Sequence, residues 1–185
     1  VGLWIRRHVH EPTVYVEIEK PSNPVKLLFG SQKRLIALAI GLMVVSTAIN
    51  YMLNYVPTWA TKTLGLPASS AYSATLLAGV ILTVVTPIGG LMAERVGRER
   101  MLWTALGLLA FTLLPAFWLT SLNVTPLSLS LLVGWMALLK SIYFSTIPSV
   151  MADIFPVSTR ASGMSISYNI AVTVFGGFAP FICTL

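Results

Sequence analysis

The chain has 185 residues, 56% of them hydrophobic and 10% charged, with a formal net charge of +6. Soluble domains carry about 25% charged residues, whereas here the runs 63–93, 101–139 and 161–185 hold none, and each exceeds the roughly 20 apolar residues that cross a bilayer. This excludes a soluble globular enzyme, a disordered tail and a disulfide-stapled secreted domain; the one cysteine, Cys183, lies in an apolar run and has no partner for redox chemistry.

In chain order, residues 1–5 read as the last turn of an apolar span. Residues 6–34 are polar, broken by Pro12, Pro21 and Pro24, and read as a linker with room for a short amphipathic piece. Val14, Val16 and Ile18 alternate with Tyr15, Glu17 and Glu19, a strand-like period too short to define a sheet. Five spans follow. The first covers 35–56 and is expected to stop at Pro57, with a loop over 58–70 that ends in a Ser69-Ser70 cap. The second covers 71–93, and Pro87 with Gly89-Gly90 predicts a bent or loosened end. A short turn over 94–100 leads to the third, 101–119. Ser121, Asn123, Thr125 and Pro126 divide it from the fourth, 127–151. A turn over 153–162 precedes the fifth, 163–185.

The basic residues set the orientation. Arg6, Arg7, Lys20, Lys26, Lys33 and Arg34 precede the first span, Arg95, Arg98 and Arg100 fall in the second connection, and Arg160 in the fourth. The opposite loops hold only Lys62. This bias places 6–34, 94–100 and 153–162 in the cytoplasm. No aromatic-interleaved basic patch is present, so the charge does not signal nucleic acid. No metal-ligand spacing, Walker loop, dinucleotide loop or nucleophile–histidine pair appears, and His8 and His10 read as solvated linker residues. Asn123-Val124-Thr125 fits a glycosylation pattern or simple turn chemistry. No cofactor is expected.

Inside the membrane, Lys140 is the informative residue. An ammonium at the centre of a span costs about 3 kcal/mol even on insertion scales, so it faces a solute cavity, pairs with an acid, or reaches an interface along a tilted helix. Tyr143 and Phe144, three and four residues on, share its face. A lysine beside phenolic surface suits a carboxylate. Asn50 over Asn54 and Tyr51 over Tyr55 make a polar-aromatic stripe on the first span; Asn50, Tyr51 and Asn54 read as cavity residues, Tyr55 and Trp59 as an interfacial belt. On the fifth span Tyr168 and Asn169 either line a route or cap a neighbouring helix, and Gly176-Gly177 permits close contact or bending.

Three motifs now carry a resemblance. Gly90-Leu91-Met92-Ala93-Glu94-Arg95-Val96-Gly97-Arg98-Glu99-Arg100 resembles the signature loop of the major facilitator superfamily, with Glu94 in place of the commoner aspartate and Glu99 at a usually basic position. Gly2-Leu3-Trp4-Ile5-Arg6-Arg7 with Glu11-Pro12-Thr13 is similar to the entry of the central loop of metabolite:proton symporters, although that group more often has threonine before proline. Ile154-Phe155-Pro156-Val157-Ser158-Thr159-Arg160-Ala161-Ser162-Gly163, followed by Tyr168-Asn169 and Gly176-Gly177-Phe178-Ala179-Pro180, is similar to the passage between its tenth and eleventh helices. The group includes citrate, α-ketoglutarate, shikimate and proline/betaine carriers.

The resemblance implies an all-α membrane protein of the bacterial inner membrane. In it, 1–34 would be the end of helix six and the central linker, and 35–185 helices seven to eleven of twelve. A non-Met first residue and an odd number of spans fit a fragment that lacks its six-helix partner half, a five-span subunit being the alternative. It further implies proton-coupled symport of a small organic acid by alternating access, by a monomer, with the proton as coupling ion. Gly90, Glu94, Arg95, Gly97, Arg98, Arg100, Asp153, Pro156 and Arg160 would form the conformational loops. Lys140, Tyr143, Asn50, Tyr51, Asn54, Tyr168 and Asn169 are the expected solute contacts. Alternatives are a zwitterion symporter of the proline or betaine type and a non-transporting scaffold or channel subunit.

Overall fold

A computed structural model describes residues 24–178 and Phe181. The described chain is helical. It runs α1 (Pro24–Ser31), α2 (Lys33–Lys62), α3 (Ala68–Val96), α4 (Arg98–Leu122), α5 (Pro126–Ile154) and α6 (Arg160–Ile170), the last continuing as a π-helical stretch, Ala171–Gly176. The strand-like stretch at 14–19 and the motif at 2–13 fall outside the described residues.

Four helices, α2 to α5, are long and apolar enough to cross a membrane. α2 has 30 residues, about 45 Å at 1.5 Å per residue, against a hydrocarbon core of about 30 Å. The helices therefore extend past the apolar layer, and the connections are shorter than the sequence suggests. The 94–100 turn is almost wholly helical, with Gly97 alone between α3 and α4. Gly97 has φ +104°, a conformation that a Cβ penalises, which is why glycine occupies this reversal.

Two boundary expectations fail for local reasons. Pro57 does not end α2, which continues to Lys62. Proline removes one N–H, hence one bond to the carbonyl four residues back, and the packing of Val56 and Ala60 against α3 and α5 residues carries the helix through. Ser69 and Ser70 lie within α3, whose N-terminal residue follows Pro67, so they are not its cap. A cap does occur at α5. The Ser128 N–H donates to Thr125 Oγ1 (3.1 Å) and the Thr125 N–H donates to Ser128 Oγ (3.1 Å), with Pro126 in the first turn, a reciprocal capping box. Pro87 lies inside α3, which is one helix from Ala68 to Val96.

Of the fifth expected span, the described part is α6, which starts three residues early, at Arg160, and changes its winding at Ala171; it is not among the described helices long and apolar enough to cross a membrane. α1 falls within 6–34, where a short amphipathic piece is expected, and its Leu28 is fully buried among Ile36, Met43 and Phe155.

α5 is central. It packs against α2, α3, α4 and α6, most extensively against α3. Half of its apolar window is buried, against 17–33% for the other three. Its buried residues divide into two clusters. Leu129, Leu132, Val133, Met136 and Leu139 pack with Val56, Ala60, Ala71 and Ala74 toward the Lys62 end of α2. Tyr143, Ile147, Met151 and Phe155 pack with Leu28, Ile36 and Met43 toward the Lys33 end. Lys140 lies between the two clusters, at the midpoint of α5.

Candidate solute-binding cavity

Where the clusters part, a cavity of about 540 Å³ opens between α2, α3, α5 and α6. α2 contributes Met43, Ser46, Thr47, Asn50 and Tyr51, at i, i+3, i+4, i+7 and i+8, one continuous face of a helix. α3 adds Leu82, Thr83 and Thr86; α5 adds Lys140 and Phe144; α6 and its π stretch add Tyr168 and Val172. The Thr83 and Thr86 hydroxyls donate to the carbonyls of Gly79 (2.8 Å) and Leu82 (2.6 Å), one turn back on their own helix.

Lys140 is buried, 9% exposed, and its Nζ donates to Asn50 Oδ1 across the α2–α5 gap. The amine thus ends on a mid-helix partner fourteen residues from either end of α5, which disposes of the interface-reaching alternative. It also disposes of an acid partner among the described residues, because the ion pair there is Arg98–Asp153 at the rim. Among the described residues the ammonium has a neutral amide for company, which leaves its positive charge uncompensated there.

Of the expected solute contacts, Lys140, Asn50, Tyr51 and Tyr168 are brought to one cavity. Tyr143 is not. It is buried in the cluster toward the Lys33 end of α2, and its Oη donates to the Leu42 carbonyl at 3.0 Å. Three residues turn a helix by about 300° and four by about 400°, so Phe144 and Tyr143 fall on opposite sides of Lys140. Asn54 continues the polar face of α2 but lies one turn beyond the cavity, exposed. Asn169 borders a second pocket of about 290 Å³, which shares Met43, Phe144 and Tyr168 with the first and runs toward Met151 and Met164; its Nδ2 donates to the Ser165 carbonyl at 2.7 Å. Ser46 and Thr47, buried on the cavity face of α2, were readable from the same periodicity as Asn50. Thr83 and Thr86 were not, since nothing in α3 marks which threonines face inward.

Tyr51 owes its position to Gly176. A Cβ at 176 would lie 2.8 Å from Tyr51 Cε2, so only glycine lets the ring lie against the π stretch.

At the Lys33 end, Arg98 Nη1 lies 2.8 Å from Asp153 Oδ2, tying the start of α4 to the end of α5. Glu94, Arg95 and Arg100 are exposed, and Gly90 lies within α3 with nothing within 4 Å of an added Cβ. The Pro156 carbonyl accepts from the Thr159 N–H at 3.0 Å. Thr159, buried, donates from Oγ1 to Gln32 Oε1 at 2.9 Å, and Arg160 keeps a buried Nε without a partner. Among the described residues no three His, Cys, Asp or Glu side chains gather into a metal site.

Apolar helices long enough to cross a bilayer, with a polar cavity and a buried cation at the middle of α5, define a polytopic membrane protein. The chain belongs to the Major Facilitator Superfamily, whose sequence pattern matches residues 1–180. It is 36% identical over 150 residues to a citrate-proton symporter of Klebsiella pneumoniae, covering 78% of this chain and 33% of that protein. It is 31% identical over 148 residues to the ectoine/proline transporter ProP of Corynebacterium glutamicum, covering 78% and 29%. It is 28% identical over 193 residues to the inner membrane metabolite transport protein YhjE of Escherichia coli, covering 98% and 43%. The chain thus spans less than half the length of these curated relatives. No solved structure matches it. The matching proteins are transporters and not enzymes, and the chain is a multi-pass protein of the bacterial inner membrane.

Proposed function

We propose that the chain is the helix-seven-to-eleven portion of a proton-coupled symporter for a small organic acid, working by alternating access. Residues 1–34 are then the end of helix six and the cytoplasmic linker, and 35–185 part of the second bundle. The observation that carries this reading is the buried Lys140 amine, facing a cavity and paired with a neutral amide. A carboxylate supplies the missing counter-charge. A relative described as a citrate-proton symporter supports both the solute class and the coupling ion. The middles of α2 to α6 contain no Asp or Glu, and Glu94 and Asp153 sit at helix ends; the proton carrier is then a group in the other half of the whole protein, with these two rim acids as the alternative.

A second reading, a zwitterion such as proline or a betaine, is favoured by one observation. Tyr51, Phe144 and Tyr168 bring three aromatic rings to the cavity that holds Lys140. Aromatic faces attract alkylated ammonium groups without an acid, and one relative is an ectoine/proline transporter. The test is uptake by the full-length protein in proteoliposomes under an imposed pH gradient, with citrate, α-ketoglutarate, proline and glycine betaine. The organic-acid reading expects gradient-driven uptake of the acids. Uptake of proline or betaine alone selects the second reading, and uptake that ignores the gradient contradicts proton coupling.

A further inference from the structure

Asn50 stands out because it makes a contact at the cavity wall that a solute must share or undo. Its Oδ1 accepts from Lys140 Nζ, while the residue itself lines the cavity and is exposed to it. An amide is bifunctional. With the oxygen turned to the ammonium, its NH₂ remains as two donors on the neighbouring side. Lys140 and Asn50 together therefore present N–H groups from two helices to one space, the donor geometry that a two-oxygen carboxylate can accept. Asn50 also differs from an aspartate by a single heavy atom and the hydrogens on it. An aspartate would offer the same reach but would neutralise the lysine from within the protein.

We propose that Asn50 is the positioning residue of this site. It fixes the Lys140 amine at the cavity wall through a neutral contact, so that the described residues leave the counter-charge to the solute. Solute binding, and through it the neutrality of the mid-membrane layer, is thereby linked to one α2–α5 contact. The inference rests on the proposed carboxylate site at Lys140. It adds that the choice of amide over acid at residue 50 sets the charge selectivity of that site.

The experiment uses the purified full-length protein in detergent, with binding followed by thermal shift and tryptophan fluorescence. The probes are acetate, succinate, α-ketoglutarate and citrate, with the uncharged amide succinamide as control. Four proteins are compared: wild type, Asn50→Asp, Asn50→Leu and Lys140→Gln. Expected for Asn50→Asp is at least a tenfold rise in Kd for the carboxylate that the wild type binds best, with an unfolding temperature at or above that of the wild type. Succinamide affinity should not fall in parallel. Asn50→Leu, which releases the amine without neutralising it, should weaken carboxylates by less than Asn50→Asp does. A purely structural asparagine predicts the reverse order of damage: lower unfolding temperatures, and equal losses for charged and uncharged probes. If Asn50→Asp keeps wild-type carboxylate affinity while Lys140→Gln loses it, the positioning role is wrong and the lysine site stands. If Lys140→Gln binds carboxylates as the wild type does, or if none of the four acids binds the wild type, the carboxylate site itself is wrong and the role of Asn50 falls with it.

Discussion

Tyr143 and Phe144 are neighbours in sequence and separated by about 100° around α5, and that rotation decides which of them a solute meets. Tyr143 holds α2 to α5 through the Leu42 carbonyl. Tyr143→Phe should lower thermal stability by about 1 kcal/mol, the net worth of one such bond, and leave solute affinity unchanged; unfolding and binding measured on the same preparation check this. Gly176→Ala makes the converse prediction. The added methyl displaces the Tyr51 ring from 2.8 Å, so affinity should fall several-fold at similar levels of inserted protein, as read by binding to protein normalised for membrane content. Lys140 was legible at this scale because a mid-span charge is rare enough to be a signal. The split between Tyr143 and Phe144 was not, since both fall within one turn of the lysine and only the neighbouring helices tell them apart.

At the scale of elements, the existence and order of the helices could be read from uncharged runs, whereas their ends could not. Pro57 looked like a stop because its lost N–H is visible in sequence, while the packing that outweighs it is not. The π winding of Ala171–Gly176 had no more than a hint in Gly176-Gly177. Thr125, by contrast, reads in sequence as part of a turn, although the Thr125–Ser128 pair that caps α5 has the spacing of a capping box. Two substitutions separate stability from mechanism at the α3–α4 reversal. Gly97→Ala forces a side chain into φ +104° and should cost about 1–3 kcal/mol of stability. Asp153→Asn breaks an ion pair whose side chains are 42% and 64% exposed, and should cost under about 1 kcal/mol. If the pair steadies one transport state, as the resemblance implies, Asp153→Asn should change the uptake rate far more than the unfolding temperature. Equal and small changes in both would make it ordinary surface chemistry.

For the whole molecule, the bias of basic residues and the even crossing of the bilayer by α2 to α5 make a topological prediction. In a Cys183→Ser background, Glu99→Cys should react with membrane-impermeant maleimide only from the cytoplasmic side, and Leu64→Cys only from the outside. Both tests follow from one arrangement, in which a polar layer at the middle of the bilayer divides two apolar clusters and carries Lys140 at its centre. That layer is the central claim, and proton-driven uptake of a small carboxylate by the full-length protein carrying Lys140→Gln, at matched insertion, tests it most directly. The account predicts that uptake collapses through a raised KM while the protein folds and inserts normally. Unchanged KM and rate would contradict it and reduce the buried amine to a structural contact with Asn50.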